Sequence, residues 1–310
     1  MSEINMEWYR SFYWTARMGS LSRAAEQLHI TQPAISHTLK QLEHALGGPL
    51  FFRSAKGVSL TAEGEVMLQY VEQAFNLFES GEKRIADMRN LDEGEIRIGA
   101  GDTLSKHYLL PFLEKFHKEY PNIRIHVTNQ TTPETLNLLK EGKMDIGIVN
   151  LPAEDRKVKF LRSLAQQDCL VGGKAYAKLS LRLHQEPLAL AQLHEYPLIM
   201  LEPGGSTRHF LDRYAASAGV ELKPELELGS LDLLVQFAIS GFGLAFVTRN
   251  YVEQELARGE LVEIPLTPAI PERHIGVAML RGVPLSSASK RFISLLPFAE
   301  VDVDDVDVDE

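Results

Sequence analysis

The chain of 310 residues has a single cysteine, Cys169. That excludes an intramolecular disulfide and any metal site built from several thiolates, and it fits a reducing compartment. Cys169 is expected as a small buried hydrophobe, with a nucleophile or a redox sensor as the alternatives. Long apolar runs are also missing. The least polar stretch, residues 233–247, is interrupted by Gln236 and Ser240 and is too short to cross a bilayer, so no membrane segment is expected. The first residues, MSEINMEWYRSFYWTARMG, carry Glu3, Glu7, Arg10 and Arg17 among their apolar side chains. They lack the basic start and continuous apolar core of a secretion signal, so the expected location is the cytoplasm.

Catalytic signatures are scarce too. Gly99-Ala100-Gly101 follows a strand-like run, but Leu104 stands where a dinucleotide fingerprint needs its third glycine, and no Walker lysine motif occurs. There is no Gly-x-Ser-x-Gly elbow. The ten histidines are scattered, and His37 and His44, seven residues apart, have no cysteine or carboxylate arrangement that suggests zinc. No catalytic residue, metal or cofactor is expected.

Positive charge is the last shortage, with a formal net charge of −10. Its distribution matters more than its total. Seven acidic and no basic residues fall in the last eleven, EVDVDDVDVDE, which leaves −3 for the remainder. Carboxylate repulsion makes residues 300–310 an expected disordered, solvated tail, although the Val-Asp alternation has the period of a strand. Residues 1–60 hold six Lys or Arg against four acids, a local excess of +2. An excess that small calls for two copies of the segment acting together if its partner is a polyanion.

What is present is a run of helix signals in residues 20–64. Ser20 can cap a helix carrying Ala24, Ala25 and Leu28, whose small alanines let a second helix cross closely. Thr31 caps that second helix, Pro33 sits in its first turn, and Ile35, Leu39, Leu42 and Leu46 recur every three or four residues. One face is thereby buried. The other offers Thr31, Gln32, Ser36, His37, Thr38 and Lys40, polar side chains of the kind that read base edges or grip phosphates. Gly47-Gly48-Pro49 ends the helix, and residues 50–53 and 58–60 are strand-like runs around a tip flanked by Arg53 and Lys56. The alternative reading is an ordinary helix pair in a globular core.

The order of these signals resembles the N-terminal domain of the LysR-type transcriptional regulators. The matching residues are Ala24-Ala25, Leu28, Thr31-Gln32-Pro33-Ala34-Ile35-Ser36, Leu42-Glu43, Leu46-Gly47, Pro49-Leu50-Phe51, Arg53, Leu60-Thr61 and Gly64. Phe52 stands where the family commonly has a charged or polar residue, and His37-Thr38 where Arg-Gln is frequent. The resemblance implies a winged helix-turn-helix over residues 1–62 that binds double-stranded DNA. The expected DNA-facing residues are Ser22, Arg23, Thr31, Gln32, Pro33, Ser36, His37, Lys40, Arg53 and Lys56.

Residues 63–92 follow as a helix in which Leu68, Val71, Phe75, Phe78, Ile85 and Met88 keep near-heptad spacing. The periodicity fits either a dimerisation helix or one packed on its own domain. The resemblance favours dimerisation, because family members pair through a long linker helix. Two recognition helices would then face an interrupted palindrome, as a homodimer or homotetramer.

From Gly94 the period changes to alternating strands and helices: strand 95–101, helix 109–120, strand 123–127, helix 133–141 and strand 145–149. That order implies parallel strands with helices on both faces. A second α/β unit is expected from about 161 to 264. It would hold strands at 168–171, 197–201, 225–228 and 243–247, helices at 207–218 and 231–240, and a further segment at 188–194. Residues 265–299, with a strand at 275–280 and a helix at 287–296, return to the first unit, about 93–160. This interleaving resembles the family's type 2 periplasmic-binding-protein-like effector domain, so the likeness covers residues 6 to about 298.

Such a fold binds small molecules between its units, beyond the carboxyl ends of strands, where helix N-termini present free amides. Thr103, Ser105, Thr128 and Asn150 follow the first three strands; Thr207 and Ser230 start helices. Each alone is more readily a structural cap than a ligand contact, by about two to one. The resemblance ranks Thr103, Ser105, Thr128 and Asn150 ahead of Thr207 and Ser230. A carboxylate effector near Arg208 or Arg249 suits these groups. The resulting expectation is a ligand-responsive bacterial regulator, not an enzyme, in which the effector shifts the populations of DNA-binding conformations. RNA polymerase is a further expected partner. The alternative is a solute-binding module whose head no longer reads DNA.

Overall fold

A computed structural model describes residues 5–54, 57–89, 94–183 and 186–298. The chain divides into two compact units, Met1–Lys83 and Arg84–Glu310.

The first unit opens with helix α1 (Met6–Met18), capped by the Asn5 side chain, which accepts the Glu7 amide at 2.9 Å. This helix has no counterpart among the elements expected from sequence. Helix α2 (Leu21–Leu28) is capped by Ser20 and helix α3 (Gln32–Leu46) by Thr31, whose hydroxyls accept the Arg23 and Ala34 amides. Between them His29 takes the left-handed conformation at φ 54°, a position glycine usually fills. Gly47, at φ 83°, ends α3. Strands β1 (Phe51–Ser54) and β2 (Gly57–Leu60) pair antiparallel as the wing. Phe12, Ala24, Ala25, Ile35, Leu39, Leu42, Leu50 and Phe51 form the core. Each large side chain removed from water there contributes about 1.5–3 kcal/mol.

Helix α4 (Ala62–Arg89) follows. Val71 is buried in the same core, and Leu68 and Phe75 pack against it, so this part of the apolar stripe serves the head itself. Phe78 and Ile85 are exposed on the single chain. The near-heptad pattern therefore covers two different environments. The side chain of Met88, the last of that series, lies outside the described residues.

The second unit contains two five-stranded sheets. In the first, the order is β4-β3-β5-β14-β6: β3 (Gly94–Ala100), β4 (Ile123–Asn129), β5 (Ile146–Leu151), β6 (Val158–Gln166) and β14 (Arg273–Leu280). Short helix α5 (Asp102–Leu104) runs through a π-turn (Ser105–Leu109) into α6 (Leu110–Glu119), and α7 (Thr132–Lys140) precedes β5. In the second, the order is β10-β9-β11-β7-β12: β7 (Asp168–Gly173), β9 (Leu198–Leu201), β10 (Leu226–Leu228), β11 (Leu244–Thr248) and β12 (Leu261–Ile264). Helices α8 (Ala177–Leu183), α9 (Ser206–Ser217), α10 (Leu231–Ile239) and α11 (Glu253–Ala257) accompany it. A small pair, β8 (Leu188–Ala189) with β13 (Leu266–Thr267), and helix α12 (Ser287–Ile293) complete the unit.

Alternate side chains of each sheet enter different cores. In β14, Ile275, Val277 and Met279 join the cluster containing α6 and α12 residues, while Ala278 joins the one beneath α7. Gly147 permits the α7 contact, since a Cβ there would lie 2.6 Å from Thr135 Cγ2. In the second sheet Leu170 and Phe246 face one cluster, and Cys169, Val171, Ala245 and Val247 another. Cys169 is buried, and desolvation pushes its thiol well above the ordinary value.

The all-parallel expectation holds only in part. Strand β3 is parallel to β4 and β5, and β9 to β10 and β11. Strand β14 runs antiparallel to β5 and β6, and β7 antiparallel to β11 and β12. The reversed strands are those by which the chain passes between the sheets, so they do not arrive by a helical crossover. Strand β6 continues in the first sheet to Gln166, and Gln167 alone separates it from β7; the passage therefore comes later than residue 160. We call the two halves lobes.

Candidate functional sites

On the first unit the apolar stripe of α3 is buried through Ile35, Leu39 and Leu42, which leaves Thr31, Gln32, Pro33, His37 and Lys40 exposed. Ser22 and Arg23 are exposed on α2. Thr38 does not project with them, because its hydroxyl donates to the Ala34 carbonyl at 2.8 Å. Arg53 on the wing is held over α3: Nη1 donates to Ser36 Oγ at 3.3 Å and Nη2 to Glu43 Oε2 at 3.1 Å. Glu43 Oε1 also accepts the Leu50 amide at 3.0 Å, so one carboxylate fixes both the turn after α3 and the wing arginine. Lys56 lies outside the described residues.

In the second unit a cleft of about 200 Å³ lies between the lobes, at the carboxyl ends of β3, β5, β9 and β11 and the starts of α7, α9 and α10. Thr103, Asn150 and Thr207 all line it. Asn150 donates its amide to Thr132 Oγ1 at 3.2 Å, while its Oδ1 is buried without a hydrogen-bond partner among the described residues. Thr132 Oγ1 is 3.1 Å from Ser206 Oγ on the other lobe. Helix α9 begins at Gly205 with no side-chain cap, which leaves first-turn amides facing the cleft.

Three expected residues fall outside the lining. Strand β4 runs two residues further than its pattern suggests, so Thr128 is still within the strand and Gln130, Thr131 and Thr132 take the loop position instead. The helical turn after β3 begins at Asp102, which carries Ser105 into the π-turn, where its Oγ is buried without a hydrogen-bond partner among the described residues. Ser230 precedes α10 without capping it, and its neighbours Gly229 and Leu231 line the cleft.

The arginines expected near a ligand are engaged elsewhere. Arg208 binds Glu227 and the Leu201 carbonyl at 2.6 Å and Asp212 at 3.1 Å, and Arg249 binds Glu263 at 3.1 Å. The cleft arginine is Arg273, which donates to Asp168 at 2.5 and 2.9 Å, to Thr248 Oγ1 at 3.1 Å and to Thr207 Oγ1 at 3.2 Å. Its one visible signal is charge in an unexpected place: Asp168 opens an otherwise apolar strand, and Arg273 stands with His274 ahead of the apolar run 275–280. Tyr251 forms another wall, its phenol pushed up to about 12 chiefly by burial. Among the described residues, no group of three or more His, Cys, Asp or Glu could hold a metal ion, and no helix is long and apolar enough to cross a membrane.

Two family models match the chain. Residues 6–65 match the bacterial regulatory helix-turn-helix protein, lysR family, and residues 89–297 the LysR substrate binding domain. A RuBisCO operon transcriptional regulator of Acidithiobacillus ferrooxidans is 28% identical over 291 residues, covering 94% of this chain and 93% of the relative. The HTH-type transcriptional regulator CbbR of Rhodospirillum rubrum is 26% identical over 284 residues, covering 92% and 93%. Among solved structures, full-length OxyR from Pseudomonas aeruginosa superposes with a TM-score of 0.65 at 18% identity, covering 97% of this chain and 99% of that one. Full-length CbnR complexed with its target DNA gives 0.62 at 18% identity, covering 94% and 98%.

Proposed function

The chain belongs to the LysR family of transcriptional regulators, and from that membership we propose how its parts divide the work. It is a ligand-responsive DNA-binding regulator, not an enzyme. Residues 1–62 bind DNA, 63–92 link and dimerise, 93–299 bind effector and 300–310 form an acidic tail. The protein works in the cytoplasm as a homodimer or homotetramer on promoter DNA with an interrupted palindrome, and RNA polymerase is a further partner. Exposed Phe78 and Ile85 on α4 support pairing through that helix.

Gln32, Pro33, Ser36, His37 and Lys40 on α3, with Thr31 at its cap, enter the major groove. Gln32 has the donor–acceptor pair that suits an adenine edge. Ser22, Arg23 and Arg53 bind backbone phosphates, as does Lys56. The buried Ile35, Leu39 and Leu42 of α3 support this reading, since they fix which side chains point outward, whereas Leu46 at the end of the stripe is exposed.

The effector is a small carboxylate bound by Thr103, Asn150 and Thr207, with Thr132 and Ser206 beside them. Ser105, Thr128 and Ser230 support the walls around it. The single observation that carries the proposal is the convergence of hydroxyls, the Asn150 side chain and the uncapped start of α9 on one cleft. Closure on the ligand shifts the populations of DNA-bound arrangements, so DNA and effector affinities change by one common factor. Thermal melting of the full chain against a panel of small mono- and dicarboxylates tests this. The expected result is a concentration-dependent rise for a few members, lost in Thr103→Val and Thr207→Val. A uniform lack of response, or a response that survives both substitutions, overturns the carboxylate site.

A further inference from the structure

Outside the cleft, two adjacent side chains of the π-turn in the first lobe reach the second lobe. Lys106 Nζ donates to both carboxylate oxygens of Asp232, at 2.9 and 2.8 Å, in the first turn of α10. The His107 imidazole stacks on the Tyr251 ring with centroids 4.4 Å apart and planes 14° from parallel. Tyr251 is itself a wall of the cleft, and its hydroxyl meets the Gln166 side chain at the end of β6, one residue before the passage between lobes. The stack therefore couples the outer edge of the cleft to its wall and to the strand about which the lobes are joined.

We propose that Lys106 and His107 form a releasable latch that biases the lobes toward the arrangement seen here before any effector binds. This rests on reading the cleft as the effector site. The ion pair is 56% and 60% exposed, so it shifts an equilibrium only about 1.4- to 5-fold. A bias of that size alters the fraction of chains ready to bind without fixing it, and effector affinity scales with that fraction.

The latch is also sensitive to pH. The charged and titratable groups that line one cavity with His107 are Lys106, Asp232, Glu253, Glu255 and Tyr251. Burial and the neighbouring Lys106 charge lower its pKa, against opposition from Asp232 and Glu255. The neutral ring is thus the latched form. The bias is complete above the ordinary imidazole value of 6.5 and declines as pH falls through it.

Electron–electron distance measurements on the full chain test the latch without any effector or DNA. Spin labels are placed by Glu114→Cys on α6 and Arg213→Cys on α9, and labelled chains are diluted with unlabelled ones so that distances within one chain dominate. The buried Cys169 stays unlabelled. We expect one main distance at pH 8 and a longer component growing at pH 5.5. Lys106→Glu raises the longer component about threefold at pH 8, Lys106→Glu with Asp232→Lys returns it to the starting level, and His107→Phe keeps the stack while flattening the pH dependence. Identical distributions for wild type and Lys106→Glu, or failure of the charge swap to restore, overturn the latch. A pH response undiminished in His107→Phe overturns the role of that ring. These outcomes leave the carboxylate test standing, and failure of that test leaves these distances interpretable.

Discussion

Arg273 and Asp168 form a buried bidentate ion pair, their side chains only 3% and 2% exposed. Each opens a strand, β14 in the first sheet and β7 in the second, so the pair joins the lobes at the floor of the cleft. Thr248 completes the set by donating to Asp168 at 2.8 Å while accepting from Arg273. The charge on the cleft arginine is thus already matched, and it orients Thr207 instead of standing free for a ligand.

Removal of either partner leaves a buried charge without compensation. Arg273→Gln or Asp168→Asn is expected to lower stability by about 3–5 kcal/mol. Urea unfolding of the full chain, followed by circular dichroism, reads this as an earlier transition for the second unit. A loss below about 1 kcal/mol contradicts the pairing.

Arg53 contributes to DNA affinity through charge, and Glu43 and Ser36 preset its position. Arg53→Ala is expected to weaken binding to all sequences alike and to reduce the slope of log affinity against log salt by about 1. An unchanged slope, from binding isotherms at several salt concentrations, excludes a phosphate contact.

Gly64 packs the start of α4 against the wing. A Cβ there would lie 2.2 Å from the Leu50 carbonyl oxygen, a backbone atom that cannot move aside. Gly64→Ala is expected to destabilise the first unit by about 1–3 kcal/mol, read as a lower melting temperature with the second unit unaffected. An unshifted melting temperature contradicts this close approach.

Legibility followed the range of the interactions involved. The head was readable because its information is local: Ser20 and Thr31 cap helices a few residues away, and Ile35, Leu39 and Leu42 mark one face of one helix. The strand directions were only half readable. Alternation identified β3, β4 and β5, but β6 and β14 pair across more than a hundred residues, and no local pattern records that pairing. In the cleft, Thr103, Asn150 and Thr207 follow from strand ends and helix starts. Thr128 falls outside the lining because β4 extends two residues beyond its alternating pattern, and Ser105 because the chain turns helical at Asp102, seven residues before the expected helix at 109. The Arg273–Asp168 pair spans 105 positions and could not be read from spacing.

The central claim is that the exposed face of α3, led by Gln32, reads DNA sequence. The most direct test incubates the full chain with fragmented DNA of its source genome, with competitor DNA at near-physiological salt, and sequences the bound pieces. The account predicts a few strongly enriched sites sharing an interrupted palindrome, and a Gln32→Ala chain that folds normally but loses that preference. Equal enrichment with wild type and Gln32→Ala would contradict it.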